Sequence, residues 1–480
     1  MKNKYFFSFP NYIYNVIILL SLFLLCVSLF AYITSSEYLK FFYLNYVYFF
    51  ISISLILLFF RFFSNRMLIT YINIFLLSIG GALIILEIVL KLNTRKSQIV
   101  SDIENRAYHA KKLGLKFDKR TKFQVYKEMQ KNNIKVVPSI PPNDFFINYK
   151  LLKSKKDIYA LSGISNSKTV FCNEGGKRVI YDSDRHGFRN REELWKKKEI
   201  DFILLGDSLA QGACVEDKDT IHERIMFYTN KSLLNLGFQG HGPLMQLAAL
   251  KEYGSIKKPK KIIWFYSETN DIDNLVYEYQ WEVFRKYLTK PNYSQNLILK
   301  QNQIDEGHRR IVKSIYASKE IGDLQNKKSK KYTIKSFWFD LKQTVKLYNI
   351  RLFISFFVPR EYSLVNDYYS PLKTFETYDK ILDEAIKVAD SWGGQIYFVY
   401  YPQAGRYFDK MMYPYPLKKY EYMKKKIILK KQVKFIDLKK EVFEKYDDNK
   451  HLYPLNISGH PNEKGYDLVA KYISETLMKK

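Results

Sequence analysis

A serine and a histidine far apart in this chain have the types and settings of a nucleophile and its base. Gly206-Asp207-Ser208-Leu209 follows directly on the apolar run Asp201-Phe202-Ile203-Leu204-Leu205. His460-Pro461-Asn462 opens a segment with Leu468, Val469, Tyr472, Ile473 and Leu477 at helical spacing. A serine where a buried strand ends can meet a histidine at a helix start as a nucleophile–base pair. The chemistry is acyl transfer, in which a base accepts the serine proton as the hydroxyl attacks a carbonyl.

The elements that must position this pair are legible as a pattern. Short apolar runs at 201–205, 233–237, 261–266, 395–400 and 433–438 read as strands, and 241–254, 375–391 and 462–478 as helices. That alternation predicts an α/β domain, a mostly parallel sheet covered by helices. Its site is expected at the carboxyl ends of the strands. The interval 275–394 is too long for one crossover and is read as an insertion: a lid, a second subdomain or a surface resting on membrane or polymer. It holds the basic run Lys327-Lys328-Ser329-Lys330-Lys331, read as a solvated loop, and an apolar, aromatic stretch at 336–358.

With those residues in order, the region 195–480 outside the insertion resembles the SGNH, or GDSL, hydrolases. Four blocks carry the resemblance: Gly206-Asp207-Ser208-Leu209, Asn235-Leu236-Gly237, Ser267-Glu268-Thr269-Asn270-Asp271, and Gly459-His460-Pro461-Asn462 with Gly465 after it. The resemblance implies a flavodoxin-like three-layer fold with Ser208 as nucleophile and His460 as base. It also implies an oxyanion hole made by the Ser208 and Gly237 N–H groups and the Asn270 amide, each such donor worth roughly 100–1000-fold in rate. Two features depart from the family pattern. Ile457 stands three residues before the histidine, where the family has an aspartate, and Glu268 and Thr269 stand where a glycine near the asparagine is usual. The chain is therefore expected to use a Ser–His dyad or an acid from elsewhere. Asp207 and Asn456 are the neighbours read as support, Asp207 and Asp271 as partners of loop backbone, and His222 and His241 as structural or exposed, with His241, just after the second block, placed where it could touch substrate. In Ser183-Asp184-Arg185-His186-Gly187-Phe188-Arg189-Asn190, which resembles a stretch in some membrane-anchored SGNH-like proteins, two readings stand equal. Either Arg185, His186 and Arg189 face an anionic or sugar substrate, or the segment is a turn with Gly187 at positive φ.

Residues 16–34, 41–60 and 67–86 contain no Asp, Glu, Lys or Arg, and each is long enough to cross a bilayer as a helix. Three such runs in succession favour a retained anchor over a signal peptide. The expected organisation is an anchor at 1–92, a membrane-proximal region at 93–194 broken by Pro138, Pro141 and Pro142, and the catalytic domain at 195–480. Lys2, Lys4, Arg61 and Arg66 flank one side and Lys40, Lys91, Arg95 and Lys96 the other. Weighting the short loops puts the N-terminus inside and the large domain outside the bacterial inner membrane. Glu87 is expected at an interface. The net charge of +29 is spread through Tyr-, Phe-, Ile- and Asn-rich segments without a nucleic-acid-binding motif, so lipid headgroups or an acidic glycan are the expected partners and nucleic acid is not.

Three cysteines make neither a disulfide framework nor a zinc cluster. A Cys172–Cys214 bridge needs an oxidising compartment, and two free thiols are the expected state. No metal or organic cofactor is implied. The function expected is that of a membrane-anchored esterase or O-acyltransferase acting on acyl, chiefly acetyl, esters of an envelope glycan. A non-catalytic glycan- or partner-binding scaffold and a lipid esterase are the alternatives; oligomeric state is left open.

Overall fold

The computed structural model describes residues 9–34, 37–98, 102–142, 158–327, 371–408 and 415–479. The chain divides into two compact units: Met1–Ile99 with Lys331–Pro371, and Val100–Lys330 with Leu372–Lys480. The basic run from Lys328 on and the aromatic stretch 336–358 of the insertion lie outside the described residues.

The first unit contains the helices α1 (Phe9–Thr34), α2 (Glu37–Phe63) and α3 (Arg66–Gln98). Within them Asn11–Phe30, Leu44–Phe63 and Met67–Leu90 are long and apolar enough to span a membrane. Most of their large side chains face outward, as they must where lipid is the solvent; Phe23, Leu55 and Phe75 are examples. Polar groups inside the spans find partners between helices. Tyr14 donates to the Leu57 carbonyl at 3.0 Å, and the Ser21 and Ser54 hydroxyls meet at 3.0 Å. Glu87 is fully buried, one way a carboxylate in an apolar span escapes lipid.

The second unit is α/β. It starts with α4 (Asp102–Lys112) and α5 (Lys122–Lys131), then a small sheet of β1 (Val136–Pro138), β2 (Lys168–Val170) and β3 (Ile180–Asp182). These three strands were not legible in the sequence. Each has only three residues, too few for a periodic signal, and Pro138, read as a breaker, closes β1 opposite Val170. The large sheet contains β4 (Phe202–Leu205), β5 (Leu233–Asn235), β6 (Lys261–Ser267), β7 (Gln395–Tyr401) and β8 (Val433–Asp437). All its pairings are parallel, in the order β5-β4-β6-β7-β8. Counted within this sheet that order is 2-1-3-4-5, the flavodoxin-like arrangement.

Alternation along the strands builds the three layers. Ile203, Leu205, Ile262, Trp264, Ile396 and Phe398 enter one core, and Phe202, Leu204, Ile263, Phe265, Tyr397 and Val399 the other. Burial on both faces explains why the strands read as continuous apolar runs. The last helix, Glu463–Met478, buries Tyr466, Val469, Ala470, Ile473 and Leu477 in the second core. The region 100–194 shares the compact unit of the large sheet, with no separation at 194/195.

Candidate active site

Ser208 stands at the first position of a short helix, Ser208–Gln211, three residues after β4. The turn between them is tight. A Cβ on Gly206 would lie 2.7 Å from the Ala210 Cβ and 2.8 Å from the Phe265 Cβ, so only glycine lets the chain swing from strand to helix here. Asn270 follows β6 by three residues, as the residue before the helix Asp271–Glu278, and Gly237 follows β5 by two. Three neighbouring parallel strands thus deliver Ser208, Gly237 and Asn270 to one edge of the sheet, at the point where strand order reverses.

His460 arrives from the loop before the last helix. Asn462 caps that helix by accepting the Gly465 N–H at 3.0 Å, which fixes the exit of the loop. Ser208 Oγ lies 2.8 Å from His460 Nε2. On the far side of the ring, His460 Nδ1 lies 2.8 Å from Glu174 Oε1, and the His460 backbone N–H donates to Glu174 Oε2 at 2.7 Å. Both carboxylate oxygens hold the same residue, one by its ring and one by its backbone. This is the arrangement in which a carboxylate sets the imidazole tautomer and leaves Nε2 free to accept the serine proton.

Glu174 was not picked out from the sequence. It sits in the turn joining the antiparallel strands β2 and β3. Asn173 shapes that turn: its Oδ1 accepts from Gly176 N at 2.8 Å and its Nδ2 donates to the Asp118 carbonyl at 2.9 Å. The local signal was Asn173-Glu174-Gly175-Gly176, which reads as a turn but pairs its acid with nothing. Cys172, two residues before Glu174, is disulfide-bonded to Cys214, with the Cα atoms 5.2 Å apart. The expected free thiols are therefore corrected: the fold brings two loops 42 residues apart in sequence to bridging distance. The bridge ties the Glu174 turn to the loop leaving the Ser208 helix.

The charges act in concert. Burial pulls the His460 pKa down, but the Glu174 hydrogen bond and the Glu174 and Asp207 charges together leave it above the ordinary histidine value, with Arg106 opposing. Burial pushes Glu174 up, but the His460 hydrogen bond, the His460 charge and Arg106 leave its carboxyl below the usual range. Asp207 is buried; its Oδ1 accepts the Leu209 N–H at 2.9 Å, and burial raises its pKa against that bond and one from the Asn270 side chain. Asp271 is buried as well, its pKa raised by burial and by the Asp207 charge.

The remaining expected positions fall as follows. The Gly237 N–H donates to Asn235 Oδ1 at 2.9 Å and is spent within its own loop. Asn456 is turned from the site, its Oδ1 meeting His451 Nδ1 at 3.2 Å. Glu268 is buried and binds the Gln403 N–H at 2.8 Å and Arg406 Nε at 2.6 Å, so it pins the loop after β7. His222 and His241 are buried, His222 against Asn235 and His241 against the Leu161 carbonyl.

In the Ser183–Asn190 stretch the turn reading holds. Gly187 has φ +80, and Arg189 donates to the Gly212 and Val215 carbonyls at 2.7 and 2.9 Å and to Asp217 at 2.8 Å. Arg185 pairs with Glu192, and His186 packs on Trp195. The segment braces the loop around Cys214 from inside.

Among the described residues, Glu174, Cys214 and His460 offer donor atoms close enough together for a metal ion. Here the sulfur is in the disulfide, and the other two groups bind each other.

No family model and no curated protein matches this chain. A solved structure from Desulfitobacterium hafniense DCB-2, assigned to the G-D-S-L lipolytic family, aligns with 58% of this chain and 99% of its own length. The identity is 12% and the TM-score 0.29. The chemistry of the site rests on its own geometry.

Proposed function

We propose that this chain is a membrane-anchored serine esterase or O-acyltransferase working through an acyl-Ser208 intermediate. The observation that carries this reading is the unbroken chain Ser208 Oγ–His460 Nε2, His460 Nδ1–Glu174 Oε1. Ser208 Oγ attacks the ester carbonyl while His460 Nε2 takes its proton, and Glu174 offsets the charge of the imidazolium. The Ser208 N–H, which as the start of a helix has no intrahelical acceptor, and the Asn270 amide are the donors for the oxyanion. His460 then returns the proton to the leaving alkoxide. Water, or a second hydroxyl in a transferase, enters with His460 as base and releases the acyl group.

The substrate we assign is an acyl, chiefly acetyl, ester of an envelope glycan, with the catalytic unit on the outer side of the bacterial inner membrane. The three apolar helices, the charge of +29 and a disulfide beside the site support that placement. The test is covalent labelling of the solubilised protein with a fluorophosphonate probe. Wild type is expected to label at Ser208 and Ser208→Ala not at all; folded wild type that does not label sinks the reading.

A further inference from the structure

Arg106 is a buried guanidinium that the acyl-transfer steps do not use. It lies on α4, next to the buried Ala107, and is 6% exposed. Its Nε binds Asp102 at 3.0 Å, and Asp102 is itself largely exposed. Its Nη2 donates to the Ser458 carbonyl at 3.3 Å and lies 3.7 Å from Glu174 Oε1; its Nη1 is buried and meets no acceptor among the described residues. A guanidinium held this way is a poor contributor to stability, because its desolvation is incompletely offset, and an apolar side chain would fill the position more cheaply.

Its place is explained by what meets there. Position 457 holds Ile457, so the acid and the base do not share one loop. Glu174 comes from the β2–β3 turn and His460 from the loop before the last helix, and something must hold the two in register. Arg106 reaches Glu174 Oε1 and, in the histidine loop, the Ser458 carbonyl. Gly459 leaves the room: a Cβ there would lie 2.4 Å from Glu174 Oε2 and 3.1 Å from Arg106 Nη2.

We infer that Arg106 is a positioning residue for the acyl-transfer site, clamping the Glu174 carboxylate and the Ser458–His460 backbone together so that Glu174 meets the imidazole. This assignment rests on the Ser208 reading above and concerns a residue outside the attacking pair.

The experiment is the rate of fluorophosphonate inactivation of the solubilised full-length chain for wild type, Arg106→Ala, Arg106→Gln and Arg106→Lys. The alanine and glutamine variants are each measured with and without Glu174→Gln. Loosening the acid is expected to slow inactivation by about 10- to 100-fold in Arg106→Ala. Arg106→Lys, which keeps the cation, is expected to stay close to wild type. In the Glu174→Gln background the Arg106 substitution should add nothing further, because the clamp has lost what it holds. Glutamine serves in place of alanine should the alanine variant fail to fold. Equal slowing with and without Glu174, or no slowing at all, overturns the assignment. A wild type that does not label overturns the Ser208 reading itself, a different result from a labelled wild type indifferent to Arg106.

Discussion

At the scale of single residues, the arrangement at His460 makes predictions that separate its neighbours. The base must be neutral to accept the Ser208 proton, and the Glu174 anion favours the protonated ring. Activity should therefore rise with pH through a midpoint above about 6.5, the ordinary histidine value. Replacing Glu174 by Gln removes the anion, so the midpoint should fall while the plateau rate drops by on the order of 1000-fold. Hydrolysis of p-nitrophenyl acetate across pH 5 to 9 reads both; a midpoint that stays put in the variant contradicts the role given to Glu174. Asn456→Ala is the contrasting case. Its side chain meets the exposed His451, so the rate should stay within about twofold of wild type. What the sequence made legible here was the serine and the histidine, each next to an element with a clear period. The acid was not legible, because a carboxylate in a turn becomes a partner of His460 only through folding, and no local spacing encodes a contact across 286 residues.

At the scale of elements, the bridge between Cys172 and Cys214 joins the turn that carries Glu174 to the loop leaving the Ser208 helix. Closing a 42-residue interval stabilises by about 4 kcal/mol in the chain-entropy account. Cys172→Ser with Cys214→Ser should lower the unfolding temperature and slow fluorophosphonate labelling in the material still folded, since the turn then keeps only noncovalent ties, among them its hydrogen bonds to Asp118 and His460. Labelling at the wild-type rate in the folded double variant would mean that those bonds suffice. Here too the divide between the legible and the hidden has a physical cause. The five strands of the large sheet were readable because burial on both faces demands unbroken apolar runs such as Phe202–Leu205. The strands β1 to β3 are three residues each and are held by neighbours such as Val125 and Val170, which pack together only in three dimensions.

At the scale of the whole molecule, the unit that starts at Val100 takes in the region before residue 195, and with it Glu174 and Arg106. A chain started at Val100 should retain probe labelling at Ser208. A chain started at Ile200 keeps the large sheet, Ser208, Asn270 and His460 yet lacks Arg106 and Glu174, and it should label at least about 100-fold more slowly. Comparing the two by labelling and by circular dichroism separates loss of the acid from loss of the fold. Ser208 and His460 are separated by 252 residues, and His460 and Glu174 by 286. Closing loops of that length costs entropy before any contact is made, so these pairings lie at the late, non-local end of assembly. A refolding chain that has gained its helices and sheet but not these closures carries a serine no more reactive than one in water. Regain of activity is thus a clock for the final long-range docking, and half-made molecules are chemically silent.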